Sequence, residues 1–160
     1  MRAWLGLGSN VGDRIANLRA GCEALEREGV QIRARSHVYE TEAQAGAVGQ
    51  PDFLNACIEV ETTLDPRELL ATAKRIELEL GRDPDAPRHA PRPLDIDVLQ
   101  LSHPEHIDTD VYRVPHIGLH ERRFVLEPLL ELDPPSREDL ERAFRSKAVQ
   151  DQRVTRIGTL

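Results

Sequence analysis

Pro-Leu-Asp-Ile-Asp-Val-Leu (93–99) places two acids two residues apart inside an apolar run. In a β-strand residues i and i+2 share a face, so Leu94, Ile96 and Val98 are predicted to enter a core. Asp95 and Asp97 then project together from the opposite face. Two unpaired anions beside a core are costly. A hard divalent cation such as Mg²⁺ resolves that conflict, because it takes oxygen ligands and is commonly held by one or two carboxylates plus substrate phosphates. Solvent or bridging arginines would also satisfy the pair, and the spacing alone leaves these alternatives open.

The flanks favour phosphate chemistry. Arg82, Arg88 and Arg92 precede the acids, and Arg113, His116, Arg122 and Arg123 follow them. Guanidinium groups offer planar donor forks that match phosphate oxygens. Carboxylates for a metal, with arginines for the remaining phosphate charge, are the working parts of phosphoryl-type transfer. Lys74 and Lys147 are the only lysines, so the basic side of the chain is mostly arginine.

Outward from this strand, the pattern alternates strand and helix without repeats. Ala3 to Gly8 reads as a strand, and Ile15, Leu18, Cys22 and Leu25 form the apolar stripe of a helix that stops at Gly29. Gln31 to Thr41 reads as a second strand. Glu42 to Pro51 reads as a long loop of the kind used as a binding lid. From Phe53 to Thr62 the chain alternates: Leu54, Ala56, Ile58 and Val60 share one face, and Phe53, Asn55, Cys57 and Glu59 the other.

Asp65-Pro66-x-Glu68 then opens a helix with an N-cap, an early proline and a capping-box acid. Its stripe is Leu69, Ala73, Ile76 and Leu80, ended by Gly81. Arg82 to Pro91, with Pro84, Pro87 and Pro91, reads as a second long loop. Leu119 to Leu132 and Ser136 to Phe144 read as later helices, and the polar segment after Gln150 is expected to be dispensable or to pack lightly. The order β-α-β-β-α-β predicts an α+β fold with a mostly antiparallel sheet, the ferredoxin-like arrangement, in a single domain over residues 1–160.

Composition narrows the class. A chain of 160 residues with 39% hydrophobic content suits one domain with a real core. The apolar runs are too short to span a bilayer, no signal-peptide pattern opens the chain, and a cytoplasmic location is expected. Cys22 and Cys57 lack metal or redox spacing and read as reduced, unpaired residues. A net charge of −7 argues against a nucleic-acid partner, which needs a broad basic surface. Attraction for a polyanion must come from the arginine cluster, within a Debye length of roughly 8–10 Å.

Gly6-x-Gly8-x-x-x-Gly12 imitates a dinucleotide-binding turn, but its third glycine comes one position late and no parallel βαβ continuation follows. Ser9 and Asn10 are read instead as helix-entry residues at the strand end. Phe53 and Asn55, on one strand face, form a plausible heterocycle site, where a ring stacks and an amide reads donors and acceptors. A covered apolar position beside a backbone-bonded amide is the alternative reading.

Taken together, six ordered blocks resemble the 6-hydroxymethyl-7,8-dihydropterin pyrophosphokinase family of folate biosynthesis. They are Leu-Gly-Ser-Asn (7–10), Tyr-Glu-Thr (39–41), Gln-Pro-Asp-Phe-Leu-Asn-Ala (50–56), Arg-Ile-Glu-Leu-Glu-Leu-Gly-Arg (75–82), Ala-Pro-Arg-Pro-Leu-Asp-Ile-Asp-Val-Leu (90–99), and Val-Pro-His (114–116) with Glu-Arg-Arg-Phe-Val-Leu-Glu-Pro-Leu (121–129). The resemblance implies a ferredoxin-like core elaborated into an α/β/α three-layer sandwich. It implies transfer of pyrophosphate from ATP to the pterin hydroxymethyl group, releasing AMP.

The resemblance assigns Asp95 and Asp97 to a pair of Mg²⁺ ions, and Arg82 and Arg92 to catalysis beside them. It implies an ATP site of Lys74, Glu77, Arg82, Arg88, Arg92, Ile96, Arg113, His116 and Arg122. The implied pterin site is Thr41, Glu42, Ala45, Phe53, Asn55, His89, Asp95 and Phe124, with Phe53 and Phe124 as stacking faces. ATP and the pterin are the expected partners, with no membrane partner and a monomeric protein. The chain departs from the family at His89-Ala90, where Trp-Gly is frequent, at Ile117, where some members carry an aromatic, and at Val111, where some carry arginine. A sugar-nucleotide transferase and a non-catalytic ferredoxin-like module are the rival classes, and metal-dependent AMP release separates all three.

Overall fold

The computed structural model describes residues 1–43, 49–103, 106–109 and 112–160. Its elements are β1 (Arg2–Ser9), α1 (Arg14–Arg27), β2 (Gln31–Arg35), β3 (His37–Thr41), β4 (Phe53–Glu61), α2 (Pro66–Glu79) and β5 (Asp95–Leu101), then β6 (Ile107–Asp108), β7 (Arg113–Val114), α3 (Arg123–Leu130), α4 (Arg137–Phe144), α5 (Lys147–Gln150) and β8 (Val154–Thr159). The main sheet runs β5-β1-β4-β3-β8, with β2 also paired to β4, and its pairings are antiparallel. The expected βαββαβ core is therefore present, with β1 and β4 at its centre.

Local chemistry explains the helix ends. Asp13 caps α1 by accepting from Ala16 N, and Asp65 with Glu68 forms the reciprocal capping box that opens α2. Gly29 and Gly81 follow the two helices with φ of 79° and 102°, a conformation other residues adopt only under strain.

The sheet carries a core on each side. Leu5, Leu7, Leu54, Ile58, Ile96 and Val98 pack with Leu18, Leu25, Leu69 and Ile76 of α1 and α2. On the reverse face Trp4, Cys57 and Leu99 meet Leu126 and Leu129 of α3 and Leu140 of α4. This gives the α/β/α sandwich. Because α3 begins only at Arg123, it covers Leu99 and leaves Asp97 and Asp95 on the same face beside open space.

Three sequence expectations are revised. The strand expected over Gln31 to Thr41 is two strands: Arg35 pairs with Ile58 but Tyr39 with Asn55, so four steps on one side match three on the other. Ser36 holds this bulge, donating its N–H to Cys57 O at 2.9 Å and accepting from Cys57 N at 2.8 Å. The helix expected from Leu119 starts at Arg123, because residues 117–121 are spent in turns after His116. The polar segment after Gln150 contributes β8, an edge strand paired with β3 through its backbone while most of its side chains stay exposed. Backbone pairing at an edge needs no apolar pattern, which is why the sequence carried no signal for it.

Glu131, just past α3, ties the two layers together. Its carboxylate accepts from Tyr39 OH, from His37 N at 3.0 Å, and pairs with His37 Nδ1 at 2.6 Å. Partial burial pushes its acidity the other way, but these donors hold the Glu131 carboxyl below its ordinary 4.5. A depressed folded-state value means the stabilisation is complete above about 4.5 and fades as pH falls through the folded value. Glu131→Gln is expected to lower stability by about 1–2 kcal/mol at neutral pH. The gap to the parent should narrow in urea titrations repeated below pH 4.5.

Candidate active site

Two cavities meet at Asp97 on β5. The larger, about 710 Å³, is bounded by α2, the loop after it and the β6–β7 hairpin. The smaller, about 400 Å³, lies against β1, β4 and the start of α3. Lys74, Arg82, Arg92, Asp97 and His116 border both. A charged wall thus separates two chambers.

Each member of that wall is held by its neighbours. Glu77, almost fully buried, accepts from Ile96 N and Lys74 Nζ, each at 2.7 Å, through one oxygen and from Arg82 Nη1 at 2.7 Å through the other. Arg82 Nη1 also reaches Asp95 Oδ1 at 2.7 Å, and Arg92 Nη2 reaches Asp95 Oδ2 at 3.1 Å. Asp97 is held more loosely, 3.9 Å from Lys74 Nζ and 3.7 Å from His116 Nε2. Charged hydrogen bonds of this kind fix side-chain direction more firmly than a lone surface pair does.

The two acids consequently differ. Burial works to raise both, but the guanidinium of Arg92, the ammonium of Lys74 and the guanidinium of Arg82 hold Asp95 below the ordinary carboxylate range. Burial and the adjacent Asp95 charge push Asp97 up to about 6. His116 is lowered by burial and by Arg122, so it is neutral at pH 7. Its Nδ1 accepts from Gly118 N at 3.1 Å, which assigns the proton to Nε2, facing Asp97.

The donor set suits Mg²⁺. Two carboxylates on one strand face offer hard oxygen ligands, and Asp97 is partly free of cations. Among the described residues no cluster of three or more His, Cys, Asp or Glu side chains is placed to hold a metal alone. A cation here would complete its shell from substrate phosphates and water, the usual habit of Mg²⁺.

The remaining predicted residues distribute between the chambers. Arg88 borders both chambers and Arg113 only the larger one, where Arg113 Nε binds Asp108 Oδ1 at 3.0 Å. Ile96 sends its side chain into the core and its carbonyl accepts from Lys74 at 3.2 Å. Thr41, Glu42, Phe53, Asn55, Asp95 and Phe124 border the smaller chamber, and His89 borders both. Asn55 Nδ2 donates to Thr41 Oγ1 at 3.0 Å. Arg122, expected at the nucleotide, borders only the smaller chamber, with its guanidinium 5.9 Å above Phe124. Ala45 and Val111 lie outside the described residues.

Other residues shape the site without having been singled out for it. A Cβ at Gly8 would meet Asn55 Oδ1 at 3.1 Å, and one at Gly118 would overlap Arg122 Nε at 2.6 Å. Glycine leaves room at both places, Gly8 in the strand β1 and Gly118 in the turn after His116. Ile117 is 66% exposed and sits at the rim of both chambers. Asn10 was expected to support helix entry, but Asp13 caps α1 and the Asn10 amide turns the other way, toward Gln50 and Arg92.

Known proteins resemble this chain over most of its length. The chain is 44% identical over 131 residues to 2-amino-4-hydroxy-6-hydroxymethyldihydropteridine pyrophosphokinase of Aquifex aeolicus, covering 82% of this chain and 79% of that protein. The Bacillus subtilis protein of the same name is 42% identical, with 81% and 77% coverage. Against the mitochondrial folate synthesis bifunctional protein of Pisum sativum the identity is 41% over 80% of this chain, which spans about a quarter (24%) of that relative's length.

Among solved structures, an HPPK-DHPS in complex with substrates superposes with a TM-score of 0.61 at 13% identity, over 97% of this chain and 46% of that one. Plasmodium falciparum HPPK-DHPS gives 0.55 at 15% identity, over 94% and 42%. At those identities the structures speak to fold alone. Residues 4–134 match the family model of 7,8-dihydro-6-hydroxymethylpterin-pyrophosphokinase (HPPK), and the chain belongs to that family.

Proposed function

We propose that this chain is a Mg²⁺-dependent pyrophosphokinase that moves the terminal two phosphates of ATP onto the hydroxymethyl oxygen of 6-hydroxymethyl-7,8-dihydropterin, releasing AMP. The observation that carries this reading is the shared wall: Asp97, Arg82, Arg92, Lys74 and His116 border both a chamber sized for a nucleotide and a smaller one flanked by Phe53, Asn55 and Phe124. Two substrates bound on either side of one charged wall have their reacting atoms brought together, and that proximity is a large part of catalysis.

In this reading the larger chamber takes ATP, with Arg82, Arg92 and His116 Nε2–H directed at the phosphates. The pterin lies in the smaller chamber, stacked by Phe53 and Phe124 and read by Asn55. Its hydroxymethyl oxygen attacks the β-phosphorus, the bond to the α–β bridging oxygen breaks, AMP leaves with that bond's electron pair, and the hydroxyl proton is released to solvent. Asp95 and Asp97 would hold Mg²⁺, which when bound neutralises phosphate charge and orders the polyphosphate. Arg82 and Arg92 stabilise charge on the group in flight. No covalent intermediate with the protein is required.

One chain supplies both chambers, so activity as a single-domain monomer is expected. The buried, unpaired Cys22 and Cys57 fit a reducing, cytoplasmic setting. No helix among the described residues is long and apolar enough to cross a membrane.

The test is an assay with ATP, Mg²⁺ and the reduced pterin alcohol that resolves AMP from ADP. Stoichiometric AMP and pterin diphosphate are expected; ADP, or no nucleotide turnover, would sink the reading. In the same assay Asn55→Ala should raise the pterin KM by about tenfold to a hundredfold and leave ATP affinity nearly unchanged, since lost ring contacts leave polar atoms unmet. Parallel weakening of both substrates in calorimetry would make Asn55 a structural residue.

A further inference from the structure

Asn10 is 1% exposed and lies at the end of β1, outside both chambers. Its backbone N donates to Arg92 O at 3.2 Å and its Oδ1 accepts from Arg92 N at 2.8 Å. Its Nδ2 donates to Gln50 Oε1 at 3.1 Å and to Pro51 O at 3.3 Å. Gln50 passes the connection on, donating Nε2 to His89 O at 2.6 Å. His89 is the one non-glycine described with positive φ, at 65°, so its carbonyl direction depends on an uncommon backbone state that an outside partner must help to hold.

These bonds join two segments that are remote in sequence. One, residues 49–52, leads into Phe53 and the smaller chamber; the other, residues 82–92, carries Arg82 and Arg92. Arg92 in turn lies with its guanidinium 5.2 Å above the Phe53 ring while it binds Asp95. Neither segment can shift without changing the other's hydrogen bonds.

We propose that Asn10 and Gln50 are positioning residues that latch these segments together, so that occupancy of the pterin chamber and placement of Arg92 toward the phosphates are coupled. This rests on the two-chamber reading above. Neither residue touches substrate in it. Their effect is energetic linkage: a ligand that favours the latched arrangement on one side strengthens binding on the other, by the same factor in both directions.

Two measurements test it. First, in the ligand-free protein the exposed Arg88 sits in the latched loop, and trypsin cleavage there reports how often that loop opens. Gln50→Ala should speed cleavage after Arg88 by about tenfold. Gln50→Glu keeps an acceptor for Asn10 but sets a carboxylate against the His89 carbonyl, so it should open the loop comparably. Gln50 is half-buried and both variants should stay folded, as a cooperative melt would verify. Cleavage at the parent rate in both variants overturns the latch, whatever the protein's substrates are.

Second, calorimetry with a non-hydrolysable ATP analogue, with and without the pterin, measures the coupling. The parent should bind the analogue about fivefold or more tightly when pterin is present, and Gln50→Ala should bring that ratio toward one with less than threefold change in the analogue alone. An unchanged ratio, or independent binding in the parent, overturns the coupling. If neither ligand binds the parent while trypsin still reports faster opening in the variants, the two-chamber reading fails and the latch stands as a purely structural device.

Discussion

Asp97→Ala is expected to abolish Mg²⁺-supported AMP release, by on the order of a thousandfold or more, while the protein melts cooperatively near the parent temperature. The geometry separates this residue from its neighbour. Asp97 has only distant partners, Lys74 Nζ at 3.9 Å and the neutral His116 Nε2 at 3.7 Å, so removing it strands no tightly bonded partner. Asp95 instead bridges Arg82 and Arg92, and Asp95→Ala should cost about 1–3 kcal/mol of stability as well as activity, because both guanidinium groups lose a charged acceptor. A further consequence follows from burial and the Asp95 charge, which put the Asp97 carboxyl at about 6. Protons compete with a cation for that oxygen, so the Mg²⁺ concentration needed for half-maximal activity should rise as pH falls below about 6. Substantial turnover in Asp97→Ala, or a flat metal requirement from pH 5 to 8, would remove Asp97 from the proposed metal site.

Arg92→Ala should lower kcat by about a hundredfold to a thousandfold with a much smaller change in ATP affinity, a loss typical of removing one preorganised donor aimed at developing charge. Arg92 is already oriented before substrate arrives: its backbone is clasped by Asn10 and its side chain is fixed between Asp95 and the Phe53 ring. Such preorganisation matters most when charge moves, since no reorganisation is then needed. Arg92→Lys keeps the charge but loses the planar fork, and should recover only a small part of the rate. A rise in ATP KM at unchanged kcat would instead mean that Arg92 binds ground state and transition state alike.

Much of this protein was legible from local rules. The i, i+2 spacing of Asp95 and Asp97 put both acids on one face and Leu94, Ile96 and Val98 in the core, because side-chain alternation in a strand is a property of the backbone alone. Asp65 with Glu68 announced the start of α2 for the same reason: capping is settled within four residues. The six motif blocks carried the family. Other features were beyond reach of any window of sequence. The bulge at Ser36 depends on which residue of β4 lies opposite, and β8 is held by the backbone of β3, which any polar sequence can supply.

The site divides in the same way. Residue types and spacing determined that acids, arginines and an aromatic–amide pair were available. Tertiary structure decided that Arg82 binds Glu77 and Asp95 together, that Arg122 lies over Phe124 beside the smaller chamber, and that Asn10 turns from the helix it precedes toward Gln50 and Arg92. The physical reason is range. Backbone geometry and capping act over a few residues, whereas a buried amide must find its partners wherever the folded chain brings them, here 40 and 82 positions away.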